Sequence, residues 1–343
     1  MVSESASDVQ RAVALALENT PLDETALAAV LAACRAGAEN PQDPDFRRLL
    51  DGARDVRRTF FRAELHLCAI VNAKSGACTE DCAFCAQSSR HKTDSPRHGF
   101  LEPEEIARQA AQMKARGASR FGIVASGLTP GEADFEKLVR AVSLVAATGL
   151  AADVSVGLLS PERLERLKAA GLAGVHHNLE VAKSFFPQIC TTHDYEEDVE
   201  AVRLALSAGL FVCSGGIFGL GESWEQRAEL ALTLKELGVA NVPVNFLVPI
   251  PGTRMEKRPV LRPAEALGIL ALLRLLLPGA NLRVCGGRGT VFGQPGGPGQ
   301  RELFDSSASG LMIGDYLTVA GTPAGQDLDL AHALGLVVCG PEG

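Results

Sequence analysis

From residue 65 onward, short apolar runs alternate with longer segments whose apolar positions recur every three or four residues. These are the two periods that separate a strand from a helix. The short runs predict strands near 65–71, 120–126, 152–158, 174–180, 210–217, 242–248, 281–286 and 310–316. The longer segments predict helices near 102–117, 132–148, 161–170, 194–208, 224–237, 263–277, 300–308 and 324–334. Many of these helices close on a glycine (Gly117, Gly149, Gly171, Gly209, Gly238), where a left-handed residue ends the turn, and one opens on Ser160-Pro161. Ser223 with Gln226 reads as a capping box rather than as part of a catalytic pair. Residues 4–62 carry helical periodicity alone, with acidic residues opening the helix at 23–34 and a basic-rich helix over 45–62. Cys34, on an Ala/Leu face there, reads as a small buried hydrophobe.

Eight strand–helix units in succession argue for a closed parallel ring. The expected fold is α/β, a (β/α)8 barrel of the TIM type over 64–338 with a helical N-terminal extension over 1–63. A doubly wound sheet would alternate in the same way, yet no G-x-G-x-x-G follows the first strand. In a barrel the chemistry lies at the C-terminal ends of the strands. Alternation along each strand then sorts residues by face. His176, Asn178 and Glu180 fall together in the fourth strand and are expected inside, whereas His177 falls with Val175 and Leu179, toward the helices. Cys68 shares a face with Ile70 and Asn72, and Arg283 shares one with Cys285. A guanidinium inside a barrel needs a specific partner.

The chain's 343 residues, 46% hydrophobic and 22% charged, can build a large core. A net charge of −8, with no basic tract or interleaved aromatic patch, argues against a nucleic-acid partner. The longest apolar run, 267–277, contains Arg274 and is too short for a bilayer, so no membrane partner is expected. The first residues show neither the basic nor the apolar region of a secretory signal, and a reducing cytoplasm is the expected location. The Gly-rich stretch 286–299 lacks the Gly-Lys-Ser/Thr ending of a phosphate loop and reads as a flexible connection. Gly219 to Glu222 reads as the turn after the fifth strand.

Candidate chemistry concentrates in Cys78-Thr-Glu-Asp-Cys82-Ala-Phe-Cys85, three cysteines spaced C-x3-C-x2-C on a loop just past the first strand. Thiolates select iron–sulfur clusters, zinc or copper(I). A structural zinc site wants a fourth ligand, for which only His91 and His98 are near in sequence, and no second tight pair follows. Nine cysteines, an odd number, do not suggest a disulfide framework. A four-iron cluster held by three local thiolates keeps one iron open to another ligand.

The stretch from Asn72 to Ser89 resembles the cluster loop of the radical S-adenosylmethionine enzymes, and within them of the biotin synthase family. His177-Asn-Leu-Glu180, Thr191-Thr192, the segment from Cys213 to Glu222, Pro243-Val-Asn245 and the segment from Arg283 to Arg288 extend the likeness in order. The resemblance implies a 4Fe-4S cluster on Cys78, Cys82 and Cys85, with S-adenosylmethionine chelating the open iron. Reductive cleavage would give a 5′-deoxyadenosyl radical that abstracts hydrogen from dethiobiotin, the small-molecule substrate. It further implies Asn178 and Glu180 on the ribose, Phe84 near the adenine, and Asn245 with Asn178 on the ureido ring. A flavodoxin- or ferredoxin-type electron donor and a homodimer are implied in the same way.

Departures from the pattern are informative. His176 replaces a commoner Asn, and Asp198 stands where relatives often carry a basic residue near the methionine carboxylate, with His193 close in sequence. The usual auxiliary 2Fe-2S cluster takes three cysteines and an arginine. Cys213 and Arg283 match two of these positions, while Gly122 and Asp153 occupy the others. Cys68 and Cys190 instead resemble a subgroup with a non-standard auxiliary cluster. The expectation is that Cys68, Cys190 and Cys213 bind it, with Arg283 or Cys285 completing or supporting the site. Two other readings remain: a sister enzyme of the hydrogenase-maturase or methylornithine-forming type, favoured by the two missing ligands, and a non-catalytic iron–sulfur or zinc-binding scaffold.

Overall fold

A computed structural model describes residues 4–294, 296–314, 317 and 324–340. Three helices come first: α1 (Glu4–Leu17), α2 (Glu24–Glu39) and α3 (Pro44–Phe61). Their starts follow from local chemistry. Asp23 accepts the Ala26 amide ahead of α2, and Asp43 accepts the Asp45 and Phe46 amides ahead of Pro44, the proline-first start that a helix tolerates. α2 and α3 pack on α9 (Pro263–Leu276), which the barrel covers from the other side. That double cover explains the long apolar run, since every residue from Ala266 to Leu276 is buried. Arg274 in this run is fully enclosed and donates to the carbonyls of Pro278 (2.9 Å), Ala280 (2.7 Å) and Ser307 (3.1 Å). Backbone dipoles thus offset the cost of burying its charge. Among the described residues no helix is long and apolar enough to cross a membrane.

The strands are β1 (Glu64–Lys74), β2 (Arg120–Ala125), β3 (Ala151–Ser155), β4 (Leu172–His176), β5 (Phe211–Cys213), β6 (Gly216–Phe218), β7 (Asn241–Phe246), β8 (Asn281–Val284), β9 (Gly310–Met312) and β10 (Val337–Cys339). They pair in parallel, and β9 returns to β1 to close the ring. With β5 and β6 as two halves of one staggered strand, the ring is an eight-stranded TIM-type barrel. Outside it run α4 (Pro103–Lys114), α5 (Glu132–Ala147), α6 (Pro161–Ala169), α7 (Tyr195–Ser207), α8 (Trp224–Glu236) and α9, followed by α10 (Arg288–Phe292), α11 (Pro298–Phe304) and α12 (Ala324–Ala333).

Several boundaries differ from the periodicity. The strand expected at 210–217 breaks at Ser214-Gly215, where the chain is pressed against its neighbours. A Cβ at Gly215 would stand 2.1 Å from the Pro243 carbonyl, and one at Gly216 would stand 2.3 Å from that of Glu180. The strand expected at 174–180 stops at His176, and Glu180 then takes a left-handed φ of 61°. The Gly-rich stretch is not wholly loop, because α10 forms within it and Arg288 makes a buried ion pair with Asp327 of α12 (2.7 Å). The helix expected at 300–308 begins earlier, at Pro298, and ends at Phe304. The strand expected at 310–316 ends at Met312, and Asp315 and Tyr316 lie outside the described residues. β10 was not expected; it pairs with the start of β1, His66 level with Cys339.

Candidate active site

The cluster loop leaves the C-terminal end of β1 through two left-handed residues, Gly76 (φ 78°) and Ala77 (φ 54°). It is fixed from within: Cys78 N donates to Gln87 O (3.1 Å), Ser89 N donates to Cys78 O (2.7 Å), and the Cys85 amide donates to Cys82 O (3.0 Å). It is fixed from outside by the segment after β4. Ala83 N donates to Ile189 O (2.9 Å), and Asp81 N to the Thr192 hydroxyl (3.1 Å). The Asp81 carboxylate takes the Thr191 amide (2.8 Å) and hydroxyl (2.6 Å). Arg254 then clamps both segments through Asp81 O (2.7 Å) and Ile189 O (2.8 Å). Burial opposes ionisation of Asp81, yet the Thr191 bonds outweigh it and hold the carboxyl below its usual range. His91 and His98, the sequence candidates for a zinc ligand, turn their Nδ1 atoms to the carbonyls of Cys85 and Gly99, both at 2.9 Å.

Cys78, Cys82 and Cys85 line a cavity of about 310 Å³ at this end of the barrel, with Phe84 beside them. His176, Asn178 and Glu180 also line it, and so does His177. Because β4 ends at His176, alternation does not carry on to His177, whose Nε2 meets Asp198 of α7 (2.8 Å). His193 continues this chain, its ring lying 3.3 Å from Asp198 and 2.9 Å from Glu80. The bond to Asp198, then those to Cys190 and Glu80, raise His193 to about 11, so it stands as an imidazolium between carboxylates. Glu180 is pushed up to about 8, first by burial and then by the Asp198 charge. Asn178 is oriented by two bonds, from Gly215 N to its Oδ1 (3.2 Å) and from its Nδ2 to Glu180 (3.2 Å). Asn245 is held in the same fashion, accepting from Gly286 N (2.9 Å) and donating to Gly216 O (3.3 Å).

Deeper in the same cavity stand Cys68 of β1, Cys213 of β5, Cys285 just past β8, and Arg283 of β8. A hydrogen bond with Cys285 brings Cys68 down to about 7 against the effect of burial, with the Arg283 charge assisting. The same bond, with burial, holds Cys285 well above the ordinary thiol range, and burial pushes Cys213 up to about 12. Gly310 makes room for this arrangement, since a Cβ there would stand 3.2 Å from Arg283 Nε. The neighbouring wall is filled otherwise. Arg120 grips Asp153 with both arms (2.8 and 2.6 Å) and lays its guanidinium over the Phe211 ring at 3.4 Å. Gly122, level with Asp153, faces Ile70, whose Cγ2 would be 3.1 Å from any added Cβ.

Cys190 does not join Cys68 and Cys213. It sits at the cluster loop instead, its sulfur 3.9 Å from that of Cys82, and it does not line the cavity. Of the expected grouping of Cys68, Cys190 and Cys213, the cavity is lined by Cys68 and Cys213, together with Cys285. A second hollow of about 440 Å³ opens at the opposite end of the barrel, near Phe61, His66 and Asn281, and none of the candidate residues lines it. Sequence reading missed Asp81, Arg254, Glu80 and the Arg120–Asp153 pair. Asp81 was legible only as a residue between two ligand cysteines, and Arg254, far away in the chain, carried no signal.

Three thiols on one pinned loop facing a cavity of this size fit a cluster with one open corner, and the two histidines nearest in sequence are engaged elsewhere. The Radical SAM superfamily matches residues 73–256, and the Biotin and Thiamin Synthesis associated domain matches residues 243–337. Fold and site thus define a radical S-adenosylmethionine enzyme. Biotin synthase of Syntrophus aciditrophicus (strain SB) is 48% identical over 279 residues, covering 81% of this chain and 85% of that protein. Biotin synthase of Nitratidesulfovibrio vulgaris (strain DSM 19637 / Miyazaki F) is 50% identical over 281 residues, covering 78% and 76%. The chain belongs to the biotin synthase family and is a radical S-adenosylmethionine sulfurtransferase. Among solved structures, a methylornithine synthase superposes with a TM-score of 0.80 at 18% identity, covering 96% of this chain and 97% of that one. The [FeFe]-hydrogenase maturase of Carboxydothermus hydrogenoformans gives 0.77 at 17% identity, covering 100% and 86%. At such identity these two speak for the fold alone, so the sister-enzyme reading gives way to the biotin synthase relatives.

Proposed function

We propose that the enzyme inserts sulfur into dethiobiotin, and that the sulfur comes from an auxiliary iron–sulfur cluster on Cys68, Cys213 and Cys285, supported by Arg283. The observation that carries this reading is the convergence of those thiols, from β1, the end of β5 and the residue after β8, on the cavity that the loop cysteines also line. Asp153 is not counted among the ligands, because Arg120 engages both of its oxygens. When bound, the loop cluster and S-adenosylmethionine supply a carbon radical able to take hydrogen from a saturated carbon. The chain's own residues position and enclose. Glu180 and Asn178 offer acceptors and a donor to a ribose diol. Asn178 and Asn245, each with its amide orientation fixed by a backbone N–H, present amide groups that complement a cyclic urea. A reduced flavodoxin- or ferredoxin-type protein is the electron source this reading calls for.

The test is anaerobic reconstitution of three forms. Wild type should hold more iron than one cubane and convert dethiobiotin. A Cys68/Cys213/Cys285 triple alanine variant should still cleave S-adenosylmethionine but yield no biotin. A Cys78/Cys82/Cys85 triple alanine variant should retain a residual cluster spectrum, and a colourless preparation would reject the auxiliary site.

A further inference from the structure

Cys339 belongs to neither thiol group of the cavity; β10 carries it to the opposite end of the barrel, beside the second hollow. There the parallel pairing of β10 with the start of β1 sets His66 level with Cys339, and Glu64 level with Val337. Alternate residues of a strand share a face, so the Glu64 and His66 side chains fall on one side. Bonds at the strand start pin this register. Val337 N donates to Ala63 O (2.8 Å), and the Arg57 guanidinium donates to Arg62 O and Glu64 O, both at 2.6 Å. A Glu64 carboxylate oxygen, a His66 ring nitrogen and the Cys339 sulfur thereby lie within 4.8 Å of one another. His66 is buried, with its ring T-shaped against that of Phe61, while the Glu64 side chain is half exposed.

We propose that Glu64, His66 and Cys339 form a zinc site that clips β10 to the first strand of the barrel. The distances suit a metal better than an ion pair. His66 Nε2 stands 3.6 Å from Glu64 Oε2, too far for a hydrogen bond. Around tetrahedral zinc, bonds of roughly 2.0–2.2 Å to nitrogen and oxygen put those two atoms about 3.4 Å apart, and a bond of roughly 2.3 Å to sulfur puts the thiolate about 3.6 Å from each. Closing the triangle onto an ion therefore takes about 1 Å of movement, which the flexible Glu64 side chain can supply. The donor set chooses the ion: a thiolate with an imidazole and a carboxylate suits zinc, whereas magnesium and calcium take oxygen ligands. Three protein ligands leave a fourth position, and because Glu64 and His66 line the second hollow, water can fill it. The site shares no residue with the active-site cavity, so it does not depend on what that cavity binds.

The experiment uses reconstituted holoenzyme, whose cavity cysteines are occupied, with zinc chloride as the probe. After gel filtration, wild type should retain one zinc per chain, and X-ray absorption at the zinc edge should show a single sulfur at about 2.3 Å among nitrogen and oxygen neighbours. Zinc should slow alkylation of Cys339 by iodoacetamide at least about tenfold, read by peptide mapping, and magnesium should not. Cys339→Ala and His66→Ala should each bind zinc at least about tenfold more weakly, with iron content and S-adenosylmethionine cleavage unchanged. Equal zinc binding by the Cys339 variant, two or more sulfurs around the zinc, or a Cys339 that zinc leaves unshielded overturns the proposal. The shielding measurement needs no substitution, so it decides the question even where a variant misfolds.

Discussion

Replacing Arg120 with alanine strands the Asp153 carboxylate inside the barrel wall. The pair is enclosed, with side-chain exposures of 2% and 12%, and its geometry is bidentate at 2.8 and 2.6 Å. Removing one partner of such a pair costs about 3–5 kcal/mol, because the remaining charge keeps its desolvation penalty and loses its counterion. The stacking of the guanidinium on Phe211 adds about 0.5–2 kcal/mol. An Arg120→Met, Asp153→Leu double variant removes both charges and should recover most of the loss, since apolar replacement of a buried pair is often neutral. Arg108–Glu105, with exposures of 57% and 37%, is the contrast: breaking it should cost under about 1 kcal/mol. Urea unfolding followed by circular dichroism, with the clusters chelated away so that metal binding does not contribute, measures all three. A cost for Arg120→Ala within about 1 kcal/mol of the Arg108 control, or a double variant as unstable as the single, would refute the account of this wall.

Other outcomes are equally open to measurement. Glu180, raised from 4.5 to about 8, favours the folded state most below pH 4.5 and loses that contribution as pH rises through 8. A ribose diol needs the ionised form, so the dissociation constant for S-adenosylmethionine, read by equilibrium dialysis, should fall about tenfold from pH 7 to 9 and stay flat in Glu180→Gln. Gly216→Ala puts a Cβ 2.3 Å from Glu180 O and displaces the bond from Ile217 N (2.8 Å); binding of S-adenosylmethionine should weaken at least about tenfold. Gly289→Ala, with nothing within 4 Å, should leave binding unchanged. Asp81→Ala removes the charge-assisted bonds that tie the loop to Thr191, worth about 1.5–3 kcal/mol each. Loop iron should then be lost to a chelator at least about tenfold faster than from wild type.

Much of the barrel was legible because α4 to α8 are periodic and each is followed closely by a glycine, and because burial on both faces makes parallel strands plainly apolar. The cluster loop was legible for a different reason: its chemistry is written in consecutive residues. What periodicity could not show were contacts between distant segments. Alternation carried through to Glu180 put His177 on the outer face, whereas the strand ends at His176 and the ring of His177 reaches both Asp198 and the cavity. Cys190 lies near the fourth strand in sequence, which suggested the barrel interior; the 3-10 turn before it carries the thiol to Cys82 instead. Asp153 read as a missing ligand, whereas it is held by an arginine on the adjacent strand, two residues out of register with it.

The ring closes on its own first strand, since β9 pairs with β1 and β10 follows it there. The loop begins at Ser75 and β9 at Gly310, so at about 5–20 residues per second a ribosome takes roughly 12–47 s between them. Through that interval the three loop thiols have been synthesised while the wall beside β1 stands open. Iron supplied during translation would meet thiols with no barrel to shield them from oxygen, whereas iron supplied after release meets a finished cup. A chain stalled before Gly310 offers its loop cysteines to whatever metal or oxidant is nearest.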